Sequence, residues 1–211
     1  LDYGFTSAYS AGAKGPRFEV ALKKEIDGGY LPGPRLVSST FERPAYVDKV
    51  RSGPEELRRF VAAMAADGVQ SIKLLLSGDD AFGAGGSQNV EYTEEEVAAA
   101  AAQARESGVW MAAHAQAAEA VKMAARNDFR MIYHCTHADE EALDLIEARK
   151  ADMFVAPAIG IVYAKAYLAT QTGDGKLPFD PRDCLRGLPI SGRRGWRRRR
   201  RGGRRHGRRR R

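Results

Sequence analysis

The stretch Ser71-Ile72-Lys73-Leu74-Leu75-Leu76 is a short apolar run with one lysine inside it, and it predicts a buried β-strand. Helix signals lie on both sides of this run. Upstream, Ser52-Gly53-Pro54-Glu55-Glu56 supplies a cap, a proline for the first turn and carboxylates that complement the helix dipole. Downstream, Thr93-Glu94-Glu95-Glu96 predicts a second helix, which ends near Ser107-Gly108. A strand between two helices is the repeating unit of a parallel α/β sheet.

The same alternation continues in both directions along the chain. We expect strands at residues 5–10, 35–39, 69–76, 109–113, 131–134 and 153–157, and helices at 17–27, 54–66, 93–107, 117–126 and 139–150. Residues 40–52 show no regular pattern. The alternation favours either an open doubly wound sheet or part of a (β/α)8 barrel. No Gly-x-Gly-x-x-Gly motif follows a predicted strand, so dinucleotide binding is not expected.

The formal charge of +7 over 211 residues comes from the C-terminal end of the chain. Residues 193–211 contain 13 arginines, so the rest of the chain carries 7 − 13 = −6. We therefore divide the chain into a barrel-type domain, residues 1–190, and an Arg/Gly-rich tail, residues 191–211, that is predicted to be disordered. The abrupt change in composition fits either an arm that binds nucleic acid or translation in a wrong reading frame.

Cysteine usage and hydropathy give expectations about the compartment. Cys135 and Cys184 do not form a disulfide framework, which fits a cytoplasmic protein. There is no run of 18 apolar residues, and the residues from Leu1 onward show no signal-peptide pattern. We expect no membrane partner.

Three polar residues occur inside or at the end of predicted strands. Lys73 lies within its apolar strand, and His114 and His134 follow the next two strands. Side chains at the carboxyl ends of parallel strands meet at one mouth of a barrel, and imidazole is a common ligand of zinc, so the three residues predict a metal site. Taken singly, each histidine also fits a hydrogen-bonded structural role, and Lys73 also fits a lysine whose amine reaches a sheet edge.

Neighbouring residues allow further predictions. His137, just past a strand, is a candidate for substrate contact, although a solvated loop histidine is the simpler interpretation. Strand alternation predicts that Tyr133 and Cys135 point away from the His134 side, with Cys135 as a packed thiol.

The order of several motifs resembles the amidohydrolase superfamily, in particular its imidazolonepropionase-like and prolidase-like metal-dependent hydrolases. The segments that carry the resemblance are Gly4-Phe5-Thr6-Ser7, residues 26–35, Ser71-Ile72-Lys73, Ala112-Ala113-His114-Ala115, Tyr133-His134-Cys135, residues 138–143 and Val155-Ala156-Pro157-Ala158. The resemblance implies a distorted (β/α)8 barrel with one or two divalent metal ions, of which zinc is the first choice.

The resemblance also implies roles for individual residues. Lys73 matches the bridging lysine that becomes carboxylated in binuclear members, and His114 and His134 match metal-binding histidines. The metal would lower the pKa of a bound water and polarise the scissile carbonyl, so that the C–N bond of an amide, a cyclic amide or a dipeptide-like small molecule is hydrolysed.

Two family features find no counterpart in the sequence: the His-x-His pair of the first strand and the catalytic aspartate after the last strand. We therefore expect strands 2–7 of the barrel, with the first and eighth missing through truncation at both ends, and we assign no catalytic residue. The open sheet edges predict self-association, and activity of the chain as given is left open. The alternative is a non-catalytic protein that binds RNA or other polyanions through its arginine tail.

Overall fold

The computed structural model describes residues 1, 4–13, 15, 17–47, 50–79 and 86–160. The strands are β1 (Ser7–Tyr9), β2 (Arg35–Val37), β3 (Tyr46–Val47), β4 (Val50–Arg51), β5 (Ser71–Leu75), β6 (Trp110–Ala115), β7 (Met131–His134) and β8 (Phe154–Ala156). The helices are α1 (Phe18–Asp27), α2 (Pro54–Ala66), α3 (Glu94–Glu106), α4 (Ala118–Arg126) and α5 (Glu140–Ala148).

Most strand pairs among the described residues are parallel. β5, β6, β7 and β8 form a four-stranded parallel sheet in chain order, and β1 pairs in parallel with β2. Two isolated parallel bridges, Ser39 to Ser71 and Arg43 to Leu74, connect the segment after β2 to β5. The described residues therefore form an α/β arrangement of parallel strands with crossover helices, as the sequence predicts.

Among the described helices, α3 and α5 begin at a side-chain cap, and α2 begins at a proline. Pro54 occupies the first turn of α2 after Gly53. Thr93 and Glu96 form a reciprocal capping box at the start of α3. The Asp139 carboxylate accepts a hydrogen bond from the Ala142 backbone N–H at the start of α5, as expected for a helix N-terminal residue.

One buried lysine ties α4 to the start of α5. Lys122 Nζ lies 2.8 Å from a Glu119 carboxylate oxygen and 2.9 Å from oxygens of Asp139 and of Glu141. Hydrogen bonds to these three carboxylates raise the pKa of Lys122 above its ordinary value. This contact fixes α5 and thereby the loop that precedes it.

The apolar core takes only one face of each central strand. Ile72 and Leu74 of β5 and Ile132 of β7 are buried in the same cluster as Leu57 of α2 and Val97 of α3. Residues that alternate with them point to the other face of the sheet, because successive strand side chains alternate. That second, inner face carries Lys73 and His114, which are buried outside the apolar cluster.

The structure adds detail to the predicted elements. Residues 40–52, expected to be irregular, contain the short antiparallel pair β3 and β4. The predicted boundary at residue 190 and the arginine tail lie outside the described residues. In the described part of the chain, no helix is long and apolar enough to cross a bilayer.

The core assignment predicts the effect of truncating a buried strand residue that faces the apolar core. Ile132 is 0% exposed, so Ile132→Ala should lower the free energy of unfolding by about 2–5 kcal/mol through lost burial and a residual cavity. Urea unfolding followed by circular dichroism measures this change. Leu22→Ala, at an exposed position of α1, is the control and should change stability by less than about 1 kcal/mol.

Candidate functional site

The three predicted metal-binding residues lie on neighbouring parallel strands. His114 of β6 is level with Leu75 of β5, and His134 of β7 is level with Ala115 of β6. Lys73 lies two residues below Leu75, deeper in the sheet. The positive charge of Lys73 contributes to lowering the pKa of both histidines. The structure thus brings the His114 and His134 rings into contact, with Lys73 deeper in the sheet.

Lys73 is the most buried charged group of this site, with 2% of its side chain exposed. Its Nζ donates to Glu42 Oε1 at 2.6 Å and to the Ala11 carbonyl at 2.7 Å. The same ammonium lies 4.2 Å from the centre of the Tyr133 ring, a cation–π distance. Burial lowers the pKa of Lys73, and the Glu42 carboxylate opposes that shift.

Glu42 is a site residue that the sequence patterns did not reveal. It lies between the two bridges that join the segment after β2 to β5. From one bridge to the other, the segment after β2 advances by four residues, Ser39 to Arg43, whereas β5 advances by three, Ser71 to Leu74. Gly12 makes room for it, because a Cβ at Gly12 would lie 2.9 Å from Glu42 Cγ. A carboxylate after the apolar residues 36–37 was the available signal, and the irregular pattern of residues 40–52 obscured it.

His114 and His134 form a close imidazole pair. Their ring centroids are 4.6 Å apart, with an interplanar angle of 63°. Burial lowers the pKa of His114, while Asp79 and Glu42 act in the opposite direction. Burial, with help from His114 and Lys73, lowers the pKa of His134 to about 3. Both rings are therefore neutral at physiological pH, the form in which imidazole binds metal ions.

The predicted orientation of Tyr133 is wrong, and the backbone of β7 explains why. Ile132 joins the apolar core, so alternation places Tyr133 on the inner face, where its ring meets Lys73. His134 would then face the core, but its φ of 79° breaks the strand geometry, and its ring meets that of His114 instead. Cys135, with φ 53°, is buried in the core, and burial raises the pKa of its thiol to about 12, as fits a packed thiol.

A polar network holds the loops that follow β5, β6 and β7. The Gln116 backbone N–H donates to Ser77 Oγ at 2.8 Å, and the His137 N–H donates to the Gln116 carbonyl at 2.9 Å. The Thr136 hydroxyl donates to Gln116 Oε1 at 3.3 Å. Gln116 thereby connects the ends of three strands, and sequence patterns gave no sign of this role.

The same network determines the hydrogen-bond partners of His114 Nε2. His114 Nε2 lies 3.3 Å from the Gly78 carbonyl oxygen and 3.3 Å from the Gln116 side-chain nitrogen. A protonated Nε2 donates to Gly78, whereas an unprotonated Nε2 accepts from Gln116, so the tautomer selects one of the two contacts. Binding of a cation through Nε2 would require the unprotonated form and displacement of the Gln116 amide.

His137 lies in the loop three residues after His134, and its contact is with a different loop. His137 Nε2 is 2.9 Å from Ser87 Oγ. This hydrogen bond joins the loop before α5 to the loop before α3 across the carboxyl ends of the central strands.

The donors of the site fit a divalent metal in kind but not in number. Two neutral imidazoles and a lysine that can be carboxylated are suitable groups. Within the described residues, however, no three side chains from His, Cys, Asp and Glu lie close enough together to hold an ion.

The lowered histidine pKa predicts acid sensitivity. Because the folded pKa of His134 is about 3 and the unfolded value is near 6.5, the unfolded state takes up protons that the folded state excludes as pH falls through this window. Stability should be full above about pH 6.5 and lower by about 2 kcal/mol at pH 5. Urea unfolding at pH 7 and pH 5 measures the loss, which His134→Phe should reduce by more than half. An equal loss in the variant would contradict this assignment.

Comparison with proteins of known structure identifies the fold. A Xaa-Pro dipeptidase with bound methionine in the active site matches with a TM-score of 0.74 and 25% identity, over 87% of this chain and 49% of that chain. An amidohydrolase matches with a TM-score of 0.67 and 25% identity, over 86% and 48% of the two chains. A prolidase complexed with N-methylphosphonate-L-proline matches with a TM-score of 0.66 and 24% identity, over 87% of this chain and 49% of that chain.

No family model matches the sequence, and no curated protein matches it. The chain spans about half the length of the proteins of known structure that it matches. Over most of its own length it has the arrangement of strands and helices found in prolidases and amidohydrolases. The chain therefore carries part of the fold found in these prolidases and amidohydrolases.

Proposed function

We propose that the protein is a metal-dependent hydrolase that cleaves a C–N bond in a small substrate. The observation that carries this proposal is the pair of buried, neutral imidazoles of His114 and His134 beside Lys73, at the carboxyl ends of parallel strands. Barrel enzymes place their chemistry at this end of the sheet. We further propose that β1, β2, β5, β6, β7 and β8 correspond to strands 2–7 of an eight-stranded barrel.

Each residue of the site has a separate proposed role. His114 and His134 would hold the ion, zinc being the first choice, and Lys73 would join them in its carboxylated form. Such an ion lowers the pKa of a bound water and polarises a carbonyl. His137, fixed by Ser87 on the loop above the strands, is proposed to contact substrate.

Structural relatives support a dipeptide-like substrate. One relative is a Xaa-Pro dipeptidase with methionine in its active site, and another is a prolidase complexed with N-methylphosphonate-L-proline. Both ligands are amino acids or amino-acid derivatives. We propose that this protein acts on a small amide of the same class.

We also propose that copies of the chain associate through the edge of the sheet at β8. Phe154 is 50% exposed and Val155 is exposed beside it. Within the described residues, β8 pairs with β7 on one side, and its other side has no partner strand. Exposed apolar residues on an unpaired edge favour strand-to-strand association.

Metal binding tests the proposed ligands directly. His114→Ala and His134→Ala should each weaken zinc binding at least about tenfold, because each removes one imidazole ligand. Isothermal titration calorimetry, with zinc content measured by mass spectrometry, gives the affinity and stoichiometry. The matched control is His137→Ala, which removes an imidazole outside the pair and should leave zinc affinity within about threefold. Equal zinc affinity in all three variants would overturn the assignment.

Activity is tested with Xaa-Pro dipeptides. Release of free proline should require the added ion, stop after treatment with a chelator and return when zinc is restored. His134→Ala should lower kcat/KM by at least about a hundredfold, since it removes a ligand of the ion that activates water. Hydrolysis that survives chelation unchanged would refute a metal-dependent reaction.

A further inference from the structure

An amide side chain lies beside the imidazole pair and offers a donor of another kind. The Gln116 side-chain nitrogen is 3.3 Å from His114 Nε2. Among the described residues, no three side chains from His, Cys, Asp and Glu lie close enough together to hold an ion. The carbonyl oxygen of a glutamine side chain is nevertheless a metal ligand in proteins, and Gln116 carries one, Oε1, in the same amide as this nitrogen.

The distance between Gln116 and His114 matches the separation of two ligands on a single ion. Ligands of a tetrahedral zinc ion lie about 2.1 Å from the metal, which places any two of them about 3.4 Å apart. The terminal Gln116 nitrogen is 3.3 Å from His114 Nε2. Rotation of the amide by half a turn exchanges its nitrogen with its oxygen, so Oε1 can take this position without a movement of the backbone.

The Thr136 hydroxyl allows this rotation without the loss of a hydrogen bond. It donates to Gln116 Oε1 at 3.3 Å. Because a hydroxyl is both a donor and an acceptor, it can equally accept from the amide nitrogen when this nitrogen replaces Oε1. The two orientations of the amide therefore differ only toward His114. The nitrogen donates to an unprotonated Nε2 in the absence of an ion, whereas the oxygen faces an ion that Nε2 also binds.

The backbone of Gln116 fixes the point from which its side chain reaches His114. The Gln116 N–H donates to Ser77 Oγ at 2.8 Å, and the Gln116 carbonyl accepts from the His137 N–H at 2.9 Å. Neither hydrogen bond involves the side chain of Gln116. A substitution at this position therefore tests the amide, while the backbone still ties together the loops that follow β5 and β7.

We propose that Gln116 is a ligand of the metal site and binds the ion through Oε1, beside His114 and His134. This proposal rests on the proposed metal-dependent hydrolase, to which it adds a ligand, and it needs no contribution from Lys73. Two imidazoles and one amide oxygen give three protein ligands, the number typical of catalytic zinc sites. A purely structural hydrogen bond to His114 would instead require the amide nitrogen.

Zinc titration of the full chain by isothermal titration calorimetry tests the proposal with two substitutions at one position. Gln116→Leu removes both the oxygen and the nitrogen, and the loss of a ligand should weaken zinc binding at least about tenfold. Gln116→Glu keeps an oxygen and removes the N–H donor, so it should bind zinc at least as tightly as the native chain. Gln103→Leu, which removes an amide of α3 that contacts Ser107, is the matched control and should stay within about threefold.

An equal loss of affinity in Gln116→Leu and Gln116→Glu would overturn the proposal, because it would assign the effect to the lost N–H donor. Native affinity in Gln116→Leu would overturn it as well. If circular dichroism shows that Gln116→Leu does not fold, Gln116→Asn decides, since its shorter side chain keeps an amide but withdraws the oxygen from the ion. Zinc binding should then weaken at least about fivefold, and native affinity would refute the ligand.

Hydrolysis assays on the same samples separate this proposal from the hydrolase proposal. If zinc binds through His114 and His134 with native affinity in Gln116→Leu, only the role of Gln116 is refuted. If the affinities follow the pattern of a ligand while hydrolysis of Xaa-Pro dipeptides survives chelation unchanged, the role of Gln116 stands and the metal-dependent reaction is refuted. Absence of zinc binding in both the native chain and Gln116→Glu would refute both proposals.

Discussion

A buried ammonium ion must be surrounded by negative charge or by dipoles, and Lys73 imposes this requirement on the inner face of the sheet. An unpaired charge in this position would be costly, since burial favours the neutral amine. The Glu42 carboxylate, the Ala11 carbonyl and the Tyr133 ring meet the requirement from three different parts of the chain. One side chain of β5 thereby ties the segments after β1 and β2 to β7.

The imidazole pair depends on the same inner face. Alternation along β5 and β6 sends Ile72 and Ala113 to the helices and leaves Lys73 and His114 on the other side. His134 reaches this side only because its backbone leaves strand geometry at the end of β7. The result is two neutral rings in contact next to a satisfied ammonium, an arrangement with suitable donors for a divalent ion and too few of them within the described residues.

The elements of regular structure could be predicted from sequence because their signals are local. Pro54, the Thr93–Glu96 box and Asp139 each mark a helix start within one turn, and the structure has helices at these positions. Lys73, His114 and His134 could be singled out because each interrupts or ends an apolar run. Glu42 and Gln116 could not, since their roles arise from contacts between segments that are distant in sequence. Alternation counted from His134 predicts the wrong side for Tyr133, because the strand backbone at His134 already departs from β geometry.

The parallel arrangement also has a kinetic consequence. Ser71 pairs with Trp110, Ala112 with Met131 and Met131 with Phe154, so each strand pairing encloses a crossover helix. Loop-closure entropy must be overcome before any of these ladders forms, and folding slows as the sequence separation between contacting residues grows. Helices α2 and α3, which carry their own capping signals, can form early, whereas the imidazole pair comes into existence only when β6 and β7 have found their register. The pairing of β6 with β7 joins residues 131 − 112 = 19 apart, against 110 − 71 = 39 for β5 with β6 and 154 − 131 = 23 for β7 with β8, so loop closure costs least for the ladder that forms the imidazole pair.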